Sequence, residues 1–215
     1  MGATACRRAV GHHGGRYRGD ETGPLECLLT LAFDILTAIG LGCACGIRPF
    51  LPVLVAGGLA AANATVDFDG TSYAFLEAPW WLLVVTAAFV VSILAAKLIP
   101  QYVLWVASLV MGGLLGAGTL EDHHHSAAIG WVLGVLFAVL AAAAARDLFG
   151  RVRSRLDEQA AGALPLYAEG ASLIAAAAAV LVPPLSAVVV AFLAWLLQGG
   201  RRRSGEKYAG LRVLR

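Results

Sequence analysis

The sequence predicts an all-α protein, a polytopic bundle of transmembrane helices with about six apolar segments, two of them interrupted by proline. Three observations predict it. Hydrophobic residues make up 59% of the chain and charged residues only 14%, against roughly 25% charged in soluble domains. The mean hydropathy is +0.76. The apolar residues are also gathered into long runs rather than scattered, and those runs exclude the alternating segments of about ten residues that build an outer-membrane barrel.

In chain order the runs are Cys27 to Cys45, Phe50 to Ala62, Trp80 to Ala96, Gln101 to Leu120, Ala127 to Ala145 and Ala171 to Gln198. A helix needs about 20 residues to cross roughly 30 Å of hydrocarbon, and four of the runs reach or approach that length. Phe50 to Ala62 is short, and Ala171 to Gln198 is long and broken by Pro183 and Pro184. Residues 1–26 are polar and glycine-rich without periodicity, which predicts a disordered tail. They lack the apolar core of a signal peptide. Residues 27–198 form the transmembrane domain, and residues 199–215 are a basic C-terminal tail.

Arginine and lysine gather in cytoplasmic loops. Basic clusters occur at Arg7, Arg8, Arg16 and Arg18, in "RDLFGRVRSRL" (Arg146, Arg151, Arg153, Arg155), and from Arg201 to Arg215. The loop with Asp67, Asp69 and Glu77 and the "EDHHHS" loop contain no arginine or lysine, so both are expected outside. A multi-pass membrane location with a cytoplasmic face follows. Two arrangements fit. In one, the two irregular segments are re-entrant or broken. In the other, all six runs cross and one basic cluster escapes the charge rule. "RDLFGRVRSRL", with Leu148, Val152 and Leu156 along one face, reads as a helix lying on the cytoplasmic leaflet.

Two charges interrupt the apolar runs. Arg48 stands in "GCACGIRPFLPVLV". An arginine near mid-membrane costs about 2.5–3.5 kcal/mol on insertion scales unless it meets water, a partner or the interface. Pro49 and Pro52 remove two backbone donors, and Pro49 disfavours helical geometry at Arg48, so the helix is expected to break there. At the surface, Arg48 simply snorkels to headgroups. At depth, the unwound turn offers donors to an anionic group. Asp34 lies on a helical face with Thr30 and Thr37. It can pair with Arg48 only through a bend near Gly46 or a neighbouring segment, since 14 residues of continuous helix span about 20 Å; otherwise it reads as a carboxylate near the membrane surface or, less directly, as a group for proton or cation coupling. Arg48, Asp34, Gly46, Pro49 and Pro52 are therefore the candidate substrate-binding residues. Glu169 and Lys97, at segment ends, read as anchors.

"GIRPFLPVLVAGGLAA", followed by "FLEAPWWLLVVTAAFVVSILAAKLIP", resembles a family of bacterial inner-membrane proteins, domain of unknown function 4126. Gly46, Ile47, Arg48, Phe50, Leu51 and Pro52 match its Gly-[Leu/Ile]-[Arg/Asn]-x-[Phe/Tyr]-Leu-Pro motif, and Pro79 and Trp80 match the close of its first extramembrane loop. Two acidic positions of the family's third segment are Ser92 and Ala96 here, while Lys97 and Pro100 are kept. The resemblance spans Leu29 to about Pro100 and implies a membrane protein without an assigned activity.

Gly42 and Gly46, Gly112 and Gly116, and Gly130 and Gly134 are each four residues apart, the spacing that lets helix backbones approach closely in lipid. They read as packing faces, one of which can serve a homodimer, and the alanine runs 141–145 and 175–179 read the same way. His123 to His125, beside Glu121 and Asp122, read as a solvated loop rather than a metal site. Cys43 and Cys45 read as small packing residues, and no cysteine spacing argues for a disulfide framework. With no nucleotide loop, nucleophile elbow, metalloprotease helix or dinucleotide fingerprint, neither catalytic residues nor a cofactor is expected, and the reading is non-enzymatic. The net charge of +2 is explained by topology and anionic lipid rather than by nucleic acid. The expected partners are the bilayer, a second copy of the chain through one glycine face, and a small-molecule ligand that the sequence does not name. Two functions follow: a small transporter or channel for an anionic solute or lipid headgroup, and a membrane scaffold that packs through its small-residue faces.

Overall fold

A computed structural model describes residues 23–62, 68, 70–95, 98–122, 125–153 and 163–209. Seven α-helices and one short 3₁₀ turn are present among them: α1 (Gly23–Ile47), α2 (Phe50–Ala61), the turn Ala74–Leu76, α3 (Pro79–Leu94), α4 (Gln101–Asp122), α5 (Ala127–Arg153), α6 (Leu164–Leu181) and α7 (Pro184–Ala209). The all-helical class is as the composition predicts. Four stretches are long and apolar enough to cross a membrane: Leu28–Ile47, Gln101–Asp122, Ala127–Val152 and Leu164–Leu181. Phe50–Ala61, Pro79–Leu94 and Pro184–Trp195 are apolar but shorter.

Prolines set several boundaries. Pro79 opens α3 and Pro165 stands in the first turn of α6, where a missing N–H costs nothing. Pro183 and Pro184 divide the run Ala171 to Gln198 into separate helices α6 and α7, because neither can donate back to the preceding turn. α6 begins at Leu164 rather than Ala171, which makes it a full-length helix. Other expected boundaries also move. α1 starts at Gly23, inside the expected tail, and residues 1–22 lie outside the described residues. α7 continues through the basic segment to Ala209, so much of the expected C-terminal tail is helical. "RDLFGRVR" extends α5 to Arg153 instead of forming a separate interfacial helix; Arg155 and Leu156 lie outside the described residues.

α1 is the axis of the bundle, packing against α2, α4, α5, α6 and α7, with Leu41, Cys43, Ala44 and Cys45 fully buried. α4 and α5 form the most extensive helix pair, and the expected glycine pairs explain why. A Cβ on Gly42 would lie 2.8 Å from the Gly134 carbonyl, and one on Gly116 would strike the Gly130 carbonyl. Gly130 and Gly134 face Gly116 and Gly112 in return, and Gly46 faces the Ala138 carbonyl. All six glycines are buried, so these faces are used inside one chain.

The helices define two ends. Ile47, Gln101, Phe149 and Leu164, from the ends of α1, α4, α5 and α6, line one cleft. This end carries Arg48, Arg146, Arg151 and Arg153, and α7 runs toward it, with Ser186 against Gly40 and Leu193 packed with Cys43 and Ala144. At the opposite end the Ser72 hydroxyl donates to Glu121 Oε1 at 2.9 Å, and Phe68 and Leu76 pack over Gly118. Phe75, Trp80 and Trp81 form an edge-on aromatic cluster there. α1 starts at this acidic end and α2 returns to it, so the two form a hairpin whose turn lies at the cleft end; the expected N-terminal basic cluster lies outside the described residues.

Candidate functional site

The helix break at Arg48 is present. α1 ends at Ile47 and α2 begins at Phe50. The Arg48 N–H still donates to the Ala44 carbonyl at 3.1 Å, but Pro49 and Pro52 have no N–H for the carbonyls of Cys45 and Arg48. A side chain from another helix serves the interruption. The hydroxyl of Ser172 on α6, fully buried, lies 3.1 Å from the Ala44 carbonyl oxygen and 3.4 Å from that of Arg48. Its single proton is shared between carbonyls on the two flanks of the break. Ser172→Ala should cost about 0.5–1.5 kcal/mol, the range for interhelical hydrogen bonds in lipid. Thermal unfolding in detergent checks this, and Ser172→Thr should recover part of the loss.

One turn before Ser172, Glu169 meets the arginine: Arg48 Nε lies 3.2 Å from Glu169 Oε1, with side chains 29% and 18% exposed. Glu169 is thus not a peripheral anchor but the counter-charge of the break. The pair engages one edge of a guanidinium that carries five N–H donors, so most of the fork is left for other acceptors. Glu169 Oε2 is buried without a hydrogen-bond partner among the described residues.

Arg48 opens onto a cleft of about 1030 Å³ between the α1–α2 junction, α4, α5 and α6. Its wall includes Gly46, Pro49, Gln101, Tyr102, Trp105, Ser108 and Arg146. The Arg146 guanidinium sits 5.3 Å over the Trp105 ring, and its Nε donates to the Ala142 carbonyl at 3.2 Å. A cation over an indole face is held in place by the ring quadrupole. Arg48 and Glu169 pair, so among the described residues Arg146 leaves the cleft net positive.

Of the five residues expected to form a site, Arg48, Gly46 and Pro49 line the cleft, and Pro52 is buried in the first turn of α2 behind it. Asp34 does not join them. α1 runs unbroken through Gly46, which keeps Asp34 about 20 Å from Arg48. Its Oδ2 lies instead 3.9 Å from His125 Nε2 at the acidic end. The histidine run therefore contributes to the fold through His125; His123 and His124 lie outside the described residues, as does Lys97. Ser92 donates to the Phe89 carbonyl at 2.7 Å within α3. Cys43 and Cys45 are buried and unbridged.

A second space adjoins the first. An apolar groove of about 490 Å³ between α5, α6 and α7 shares Ile47, Ala145 and Phe149 with the cleft. The alanine runs split between two environments. Ala141, Ala144, Ala176 and Ala179 are buried, whereas Ala175 and Ala178 help to line the groove, as Ala144 does on its other face.

Long apolar helices around a partly buried ion pair and a basic cleft define a helical membrane protein. The family comparison is more specific: the profile of the domain of unknown function DUF4126 matches residues 35–201, and the chain belongs to this family. No curated protein and no solved structure matches the chain.

Proposed function

We propose that this protein is a multi-pass inner-membrane protein that receives an anionic group, on a small solute or a lipid headgroup, in the cleft beside Arg48, and acts as a small transporter or channel. The observation that carries the reading is Arg48 itself. An arginine at a helix break, held by a carboxylate from a second helix and accompanied by an aromatic-backed Arg146, is costly in a membrane unless something uses it. No enzymatic step is invoked. The glycine faces on which the scaffold reading rests pack within the chain, which favours the ligand-receiving reading over it.

Purified protein should be stabilised by at least one of inorganic phosphate, sulfate, glycerol 3-phosphate and anionic phospholipid. At about ten times Kd the gain is about 1.4 kcal/mol, or some 3–5 °C for a chain of this size. Arg48→Gln should abolish the shift. Indifference of the wild type to every one of these anions overturns the reading.

The charge pattern supports a cytoplasmic cleft end, with α7's basic terminus beside it. In a background lacking all four cysteines, Ala62→Cys should react with an impermeant maleimide in intact cells. Gly150→Cys should react only after permeabilisation. The reverse pattern would invert the orientation and remove the support for a cytoplasmic site.

A further inference from the structure

The cleft and the groove have opposite chemistry and share a wall. The cleft offers Arg48 and Arg146 to an anion, whereas the groove exposes almost nothing polar. Ile47, Ala145 and Phe149 line both spaces, so the two adjoin along one wall. The groove's rim is open to the side: Ile174, Val188 and Phe192 are 71%, 62% and 55% exposed. On helices of this apolar length, a lateral opening faces hydrocarbon, and hydrocarbon chains reach it without passing through water. Basic pockets between membrane helices on the cytoplasmic side are the setting in which acidic headgroups are held.

We propose that the two spaces form one amphiphile site, occupied by an anionic phospholipid, with the phosphate between Arg48 and Arg146 and an acyl chain in the α5–α6–α7 groove. The assignment rests on the anion reading of the cleft and narrows it to a ligand class. Charge complementarity selects the headgroup, and the shared wall places the chain beside it. Trp105 and Tyr102, at the level of the arginines, are residue types that favour the headgroup boundary. A free phosphate satisfies the arginines but leaves the groove without a role. A zwitterionic lipid fills the groove but brings its own cation to a net-positive cleft.

The test uses the full chain purified in a mild detergent, with phosphatidylglycerol, phosphatidylcholine of the same acyl chains and glycerol 3-phosphate as probes. Native mass spectrometry and thermal shift supply the readouts. Phosphatidylglycerol is expected to bind at least tenfold more tightly than phosphatidylcholine and a hundredfold more tightly than glycerol 3-phosphate. Ala171→Phe, at an exposed position on the groove wall, should weaken phosphatidylglycerol at least tenfold and leave the response to glycerol 3-phosphate unchanged. Ile174→Trp supplies a second obstruction if the first lowers the melting temperature. Equal binding of glycerol 3-phosphate and phosphatidylglycerol, with both obstructions silent, overturns the lipid assignment and leaves the anion site standing. Equal retention of both lipids, with Arg48→Gln silent and glycerol 3-phosphate inert, overturns both.

Discussion

Gly134→Val should be among the most damaging single substitutions in the chain. A Cβ on Gly134 would run into the carbonyl of Gly112 and the backbone at Gly113, and Gly130 stands in the same relation to Gly116 and Ala117. Backbone cannot rotate out of the way as a side chain can, so α4 and α5 must separate. That separation also disturbs α1, whose Gly42 rests on the Gly134 carbonyl. Overpacking a well-filled interior costs about 1–3 kcal/mol and sometimes more, and a backbone obstruction belongs at the upper end. A loss of about 3 kcal/mol corresponds to roughly 6–12 °C, readable as a fall in the thermal midpoint of the detergent-solubilised protein. Gly58→Val is the matched control, because nothing lies within 4 Å of a Cβ there. Equal tolerance at both positions would contradict the close approach of α4 and α5.

The second large effect concerns the ion pair. Glu169→Ala should destabilise more than Arg48 and Glu169 changed together to Met and Leu, because the single change leaves a guanidinium in a partly dry site. Removing one partner of a fully buried pair costs about 3–5 kcal/mol. With side chains 29% and 18% exposed, solvent screening reduces this to about 1–3 kcal/mol. A double-mutant cycle should return a coupling of about 1–2 kcal/mol, and the exchange Arg48→Glu with Glu169→Arg should restore part of it. Additive effects would mean that each charge is solvated independently, and Glu169 would lose its positioning role.

The site was half legible in the sequence. Arg48 between an apolar run and two prolines announced a break, because proline chemistry is local and needs no knowledge of the fold. Glycine spacing announced close packing for the same reason, but periodicity marks a face without naming what covers it, and here the cover is the chain's own neighbouring helices. Glu169 was missed as a partner. A carboxylate near the start of an apolar run looks like a headgroup anchor, and only the descent of the α1–α2 junction onto α6 gives it another role. A signal did exist: Leu164-Pro165 is a helix start, and counting from there places Glu169 and Ser172 three apart, on one face. Ser172 reaches carbonyls 128 and 124 residues away, a relation that no local pattern carries. The last apolar run was equally ambiguous, because its two prolines mark an interruption without saying whether the chain kinks or reverses. Asp34 illustrates the opposite error. Its burial was foreseeable, but its neighbour depended on the histidine loop that closes α4 onto α5.

The stopper at the acidic end has its own corollary. Phe68 and Leu76 are fully buried, seated on Gly118, while α4 from Gly112 to Leu120 is almost entirely enclosed. That enclosed stretch stands between the acidic end and Ser108, the α4 residue of the cleft wall nearest to it. A carrier would have to uncork that far side once per cycle, with Phe68 and Leu76 leaving Gly118 as Arg48 is shut off. A receptor or lipid-presenting protein would never need to. Cross-linking the cork to α4 therefore separates a conduit, which it would jam, from a docking berth, which it would leave working.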